Sequence, residues 1–134
     1  MSDYMQFESE CLTVIAMFKN GLIPSKLQTR YPGDNILIDT IITDKFILSI
    51  SNIHEDAEKG LNTYLRSLFV IKPLRNKGVG TKLLNDLINT CKGKGINGIE
   101  TEPLNNRSRK FFAKHGFKKI IGTTCNRHIL YLNQ

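Results

Sequence analysis

Apolar side chains in this chain fall into short runs of strand length and longer stretches of helical period. Residues 36–43 and 45–53 are rich in Ile and Leu, and Thr43-Asp44-Lys45 between them predicts an antiparallel hairpin. Residues 64–71 end in the run Leu68-Phe69-Val70-Ile71, which suits a buried strand; Pro73, with no N–H to donate, stops its ladder. From Gly78, the positions Val79, Leu83, Leu84, Leu87, Ile88 and Cys91 recur at helical spacing, and Lys92-Gly93-Lys94-Gly95 ends that helix. Residues 96–102 read as a strand closed by Pro103, residues 106–115 as a helix capped by Gly116, and residues 118–123 and 128–132 as a last pair of strands. The two strands that bracket the glycine helix form a β-α-β unit, expected to be parallel and right-handed, in an otherwise antiparallel sheet. Earlier segments are less regular. Residues 9–20 read as a helix ended by Gly21, although alternation at Leu12, Val14, Ala16 and Phe18 also fits a strand. Residues 22–35, with Pro24 and Pro32-Gly33, read as irregular, and the polar stretch 54–62, with Gly60, as a loop.

The junction between strand and glycine helix carries chemistry. Arg75-Asn76-Lys77-Gly78-Val79-Gly80-Thr81 puts two cations beside a helix start whose first N–H groups lack intrahelical acceptors. Glycine lets a ligand approach that backbone, so the stretch reads as a phosphate cradle. A dinucleotide fingerprint needs a third glycine where Leu83 stands. A P-loop needs Gly-Lys-Ser/Thr, whereas Gly80 is followed by Thr81 and Lys82. Neither fits.

The pattern Arg75-x-x-Gly78-x-Gly80 after Leu68-Phe69-Val70 resembles the GNAT superfamily of N-acetyltransferases. A second resemblance lies downstream at Asn105, Ser108, Phe111, Phe112, Lys114, Gly116 and Phe117. Together they cover roughly residues 64–120. The resemblance implies an α/β fold: one GNAT-like domain over residues 1–134, with antiparallel N-terminal strands and a central parallel β-α-β unit splayed to hold coenzyme A. It implies acetyl transfer from acetyl-CoA to a primary amine of a small molecule or protein. The cofactor's pyrophosphate would lie on the N–H groups of Arg75, Asn76, Lys77, Gly78, Val79, Gly80 and Thr81, and its pantetheine arm along Leu68, Phe69 and Val70. The Val70 N–H would bond the acetyl carbonyl as it gains oxyanion character. Asn105 would reach the arm, or cap the following helix. Arg107, Arg109 and Lys110 would meet the nucleotide phosphates or form a solvated face.

Phe112 departs from the family, which usually has a tyrosine there to protonate the departing thiolate. A thiol pKa of ~8.5 lets the anion leave with modest help. General acid catalysis is typically worth ~10²–10⁴-fold, so the departure implies a slower enzyme or a substitute donor. Ser108, one turn before Phe112 on the same helix face, is the first substitute; Tyr64 and Tyr131 are others. An alkylamine of pKa ~10.4 must lose a proton before it attacks. Glu102, sharing a strand face with Glu100, is the expected base, directly or through water, with His54 and Glu55 as further candidates. A fold that holds acyl-CoA with little catalysis is an alternative.

At 134 residues and 40% hydrophobic content the chain is expected to fold as one domain. No apolar run approaches the ~20 residues of a membrane helix, and the N-terminus lacks the basic and apolar segments of a signal peptide. Cys11, Cys91 and Cys125 show no paired spacing and suit a reducing cytoplasm. No metal site is expected, and His115 is expected to sit as a cation at a helix end. The net charge of +7 and pI of about 9.5 suit a phosphate-bearing cofactor. A nucleic-acid-linked acceptor such as aminoacyl-tRNA is the less favoured alternative. The short N-terminal region leaves room for a second copy to complete the acceptor site.

Overall fold

The computed structural model describes residues 3–30, 36–56, 60–122 and 126–132. A helix α1 (Asp3–Lys19) precedes four strands, β1 (Lys26–Arg30), β2 (Leu37–Ile42), β3 (Phe46–Asp56) and β4 (Gly60–Val70). A short 3-10 turn (Lys72–Leu74) leads into α2 (Val79–Gly93), followed by β5 (Gly98–Thr101), α3 (Asn106–Lys114), β6 (Lys118–Lys119) and β7 (His128–Tyr131). The strands form one sheet in the order β1-β2-β3-β4-β5-β7-β6, antiparallel except for the β4–β5 pair. The expected parallel β-α-β unit is therefore β4-α2-β5.

Helices cover both faces of the sheet. Cys11 and Ile15 of α1 pack on Ile42, Ile47 and Phe69. Leu84, Leu87 and Cys91 of α2 and Phe112 of α3 pack with Leu65 and Ile99 on the other face. Leu65 and Phe69 would share a face in a regular strand, since side chains alternate with period two. They do not, because β4 carries an extra residue. Ser49 faces Ser67 while Ile50 faces Leu65, leaving Arg66 as a bulge that reverses the alternation.

The bulge lies where β4 and β5 part. Their pairing ends at Leu65 and Thr101, whereas β4 runs on to Val70. At the fork the Thr101 hydroxyl donates to the Leu65 carbonyl at 3.0 Å. Beyond it, Ile71 N–H donates to Lys45 O at 3.0 Å, which makes the facing pair Phe46/Val70 the non-hydrogen-bonded kind. Val70, and Leu68 two residues earlier, thus turn their own N–H and C=O away from β3, toward the gap left by β5.

Four expectations change. Residues 22–35 are not wholly irregular: Lys26–Arg30 pairs with β2 as an edge strand exposed on both faces, so it has no burial pattern to read. Most of the stretch 54–62 is strand rather than loop. β3 and β4 stay paired through His54/Asn62, Glu55/Leu61 and Asp56/Gly60, because a ladder of backbone bonds does not require apolar side chains. The first helix starts at Asp3, six residues before the expected start, which removes the strand alternative. Of residues 118–123 only Lys118–Lys119 pair with β7; residue 123, like Cys125, lies outside the described residues. Cys11 and Cys91 are free and buried. Burial, with help from Glu10 and Glu8, pushes the Cys11 thiol up to about 12, so it is inert.

The fork supplies a stability test. Thr101→Val keeps the shape but takes the hydroxyl from the buried Leu65 carbonyl, and should lower unfolding stability by ~1–3 kcal/mol. Thr101→Ser should lose less. Urea denaturation compares the two.

Candidate active site

The gap between β4 and β5 is a cleft of about 110 Å³. It brings together Leu68, Phe69, Val70, Arg75, Glu102, Asn105, Ser108 and Phe112, all singled out from the sequence. Asn76, Lys77, Gly78, Val79, Gly80, Thr81 and Arg109 are not among its walls. They lie in the turn and the helices beside it.

Local chemistry shapes that turn. Asn76 (φ 62°) and Gly78 (φ 82°) both adopt the left-handed region, which reverses the chain ahead of α2. Gly78 is the N-cap and offers no side-chain acceptor. The first helical bond at this end runs from Lys82 N–H to Gly78 O at 3.0 Å, so the N–H groups just before it have no intrahelical acceptor. A Cβ on Gly80 would sit 3.5 Å from the Phe111 ring, an ordinary contact. His115 Nε2 and Thr81 Oγ1, 3.3 Å apart, join α3 to α2 near this start.

Arg75 is committed elsewhere. Its N–H donates to Lys72 O, its Nε donates to Val70 O at 2.9 Å, and its Nη2 pairs with Glu8 Oε1 at 2.7 Å. The guanidinium also lies over the Phe69 ring. It therefore fastens α1 to the end of β4, and the cradle that remains is the backbone from Asn76 to Thr81 with Lys77. Tyr4 and Phe7 of α1 wall the cleft, and Arg107 donates to the Tyr4 hydroxyl at 2.7 Å. Sequence spacing gave no sign of Glu8 or Tyr4.

Asn105 and Ser108 form a reciprocal capping box. Asn105 Oδ1 accepts from Ser108 N–H at 2.8 Å, and Ser108 Oγ accepts from Asn105 N–H at 3.1 Å. The Ser108 hydroxyl also donates to Asn105 O at 3.0 Å. Phe112 is buried, edge-on to Phe111 and Phe117. Glu102 Oε1 and Glu100 Oε1 each lie 3.4 Å from Arg127, and Asn62 donates to Glu100 Oε2 at 3.1 Å. Arg66 and Arg127 both stack on the Tyr64 ring, whose pKa is raised by burial and then by Glu102. Arg109 bonds Asn106 at 2.8 Å, at the surface of α3. The side chains of His54 and Glu55 lie outside the described residues. No group of three or more His, Cys, Asp or Glu among the described residues could hold a metal.

An open strand edge beside an uncapped helix start is a cradle for an extended, phosphate-bearing ligand, and the sequence bears the matching relationship. Residues 27–117 match the sequence model of the acetyltransferase (GNAT) family. The chain belongs to this family. It is 30% identical over 102 residues to N-alpha-acetyltransferase 30 of Schizosaccharomyces pombe, covering 67% of each protein. Solved structures share the fold at lower identity. A KacTA–DNA complex superposes with TM-score 0.62 at 18% identity, covering 93% of this chain and 80% of that one. AtaTR bound with acetyl-CoA gives 0.59 at 17%, covering 72% and 68%. AtaT with acetyl-methionyl-tRNAfMet gives 0.54 at 17%, covering 72% and 71%. The protein is an acetyl-CoA-dependent N-acetyltransferase, and acetyl-CoA is its cosubstrate. No described helix is long and apolar enough to cross a membrane.

His115 departs from its expected cationic role: burial, then Lys114, lowers its pKa, which favours the neutral ring. His128 is lowered by burial, then Arg109 and Lys119. A histidine with a folded pKa below its unfolded ~6.5 binds protons better when unfolded. Its contribution is full above that pH and is lost as pH falls toward the folded value. Urea midpoints should therefore drop between pH 7 and pH 5, and less steeply in His128→Gln.

Asn105 separates capping from other contacts. Asn105→Ala should cost about 1 kcal/mol of stability. Asn105→Asp keeps an acceptor at the cap and should melt close to wild type, while replacing the amide of a cleft-lining residue with a carboxylate. Calorimetric melting with acetyl-CoA titration reads both effects.

Proposed function

We propose that the protein transfers the acetyl group to an aliphatic α-amine. The observation that carries the acetyl-CoA half of this reading is the unpaired edge of β4, with Leu68 and Val70 backbone groups turned into the cleft beside the open start of α2. When bound, acetyl-CoA supplies an acetyl group activated as a thioester. The N–H groups of Asn76, Lys77, Gly78, Val79, Gly80 and Thr81 hold its pyrophosphate, with Lys77 adding charge. Leu68, Phe69 and Val70 present a strand edge to its arm, and Asn105 contacts it from α3. Val70 N–H donates to the carbonyl that gains negative charge, while the Val70 carbonyl is already occupied by Arg75.

Glu102 accepts the amine proton, directly or through water. It is exposed enough to reach solvent, at 41%, and Arg127 fixes its orientation. Ser108 is the hydroxyl nearest in sequence to Phe112 on the face toward the cleft, and serves as proton donor only by loosening its capping bonds. Phe112 shapes the cleft wall, so thiolate departure runs without the family's usual tyrosine. The acceptor class draws on two similar proteins: one is named for N-alpha acetylation, and the other was solved with acetyl-methionyl-tRNAfMet. Both names describe an acetylated α-amine. The reading places the reaction in the cytoplasm, where acetyl-CoA is available and buried thiols such as Cys11 and Cys91 stay reduced. It includes a homodimer in which a second copy completes the acceptor site.

Thiol release from acetyl-CoA, followed with a panel of short peptides bearing free N-termini, tests the reading. Wild type should turn over, and Gly80→Glu should keep its fold but lose acetyl-CoA binding, because its carboxylate occupies the anion cradle. Phe112→Tyr should raise turnover, by ~10-fold or more if the hydroxyl reaches the leaving sulfur. Cofactor binding with no thiol release from any amine would refute the transferase reading for this chain.

A further inference from the structure

Charge is unevenly distributed along this chain. Residues 1–102 contain 12 Lys/Arg and 12 Asp/Glu, whereas residues 103–134 contain 7 Lys/Arg and no acidic residue. The entire +7 therefore belongs to the last 32 residues, from the entry to α3 onward. Arg127 is paired with Glu100 and Glu102. The other six, Arg107, Arg109, Lys110, Lys114, Lys118 and Lys119, are exposed, and none has a carboxylate within ion-pair distance among the described residues.

All six lie on the exposed side of α3 or on β6, the edge strand that follows it. Arg107, Lys110 and Lys114 follow one another at i, i+3 and i+7 along the outside of α3. Arg109 lies further round the exposed side of the helix, Lys118 opens β6 four residues after Lys114 ends α3, and Lys119 faces His128 across the β6–β7 ladder. The arrangement works against the helix itself. Cations in the first turn oppose the helix dipole, α3 has no acid there, and like charges three or four residues apart repel. A bound polyanion relieves all three penalties at once. The surface also reaches the cleft, because Arg107 is one of its walls.

We propose that the α3–β6 face is a docking surface for the phosphate backbone of an RNA that carries the acceptor amine at its end. The chemistry of the acceptor selects RNA over other polyanions. Exocyclic base amines are conjugated and poor nucleophiles, whereas an amino acid esterified to an RNA terminus presents an aliphatic α-amine. The backbone on α3–β6 would supply affinity without sequence readout, and the cleft would receive the amine. This inference rests on the α-amine reading above.

Fluorescence anisotropy with a labelled RNA minihelix carrying a 3′-aminoacyl ester, in saturating acetyl-CoA, tests it. If about four phosphates are neutralised, affinity should fall about a hundredfold between 50 and 200 mM salt. Lys118→Glu/Lys119→Glu should weaken RNA binding tenfold or more and flatten the salt dependence, with acetyl-CoA affinity within twofold of wild type. Lys118→Gln/Lys119→Gln should show an intermediate loss and guards against misfolding of the reversed pair. A DNA hairpin of the same sequence and a poly-glutamate peptide complete the comparison. The inference is overturned by absent RNA binding at 50 mM salt, by variants that bind RNA as wild type does, by tighter binding of the DNA or the peptide, or by a parallel loss of acetyl-CoA affinity. Acetylation of free peptides without RNA binding sinks this inference alone; RNA binding without acetylation of any amine sinks the α-amine reading instead.

Discussion

Everything at this site depends on the parting of β4 and β5. A parallel pair normally satisfies both edges, and an interior strand that loses its neighbour leaves backbone donors and acceptors unmatched. The fork at Leu65 and Thr101 is held by a side-chain hydroxyl that replaces the next ladder bond. Just past it, the Arg66 bulge reverses the alternation of β4. The same extra residue that reorients the backbone puts Leu68 against the α2–α3 core and Phe69 against α1. A single insertion thus frees an edge for a ligand without exposing the apolar side chains that anchor it.

An open edge invites collapse or the wrong partner. Here α1 restrains it. The 2.7 Å Arg75–Glu8 pair is mostly sequestered, at 14% and 25% side-chain exposure, so its partners are poorly screened. Arg75 also donates its Nε–H to the Val70 carbonyl and lays its face over Phe69. The glycine turn beside it can then stay open: Asn76 and Gly78 are held in left-handed conformations by the turn, and α2 begins without a side-chain cap. The motif arginine lines the cleft and also braces the turn beside it.

Elements with an apolar period were legible in the sequence. α2 and α3 show theirs because one face meets the Leu65–Ile99 core and the other meets water. β1 was not, because both its faces are exposed, and the far end of the β3–β4 hairpin was not, because its sequence is largely polar and a backbone ladder requires no apolar pattern. The site divides along the same line. The glycine turn and the Asn105–Ser108 box are local in sequence, so spacing exposes them. Glu8 lies 67 positions from Arg75, and Tyr4 lies 103 from Arg107. Such contacts are consequences of the fold, and no local pattern encodes them.

Phe112 shows where local reading and packing meet. The aromatic is retained because α3 needs it: its ring fills the core between Phe111 and Phe117 and closes the end of the cleft. Only the hydroxyl is missing, and that separates two jobs which a tyrosine would combine. Packing demands a flat apolar ring of this size, while leaving-group protonation demands one polar atom. A thiolate is a good enough leaving group that the second demand can be relaxed at a cost in rate, whereas a cavity of aromatic size would cost ~3–5 kcal/mol of stability. Phenylalanine at this position therefore meets the packing demand in full and leaves the protonation demand to another group.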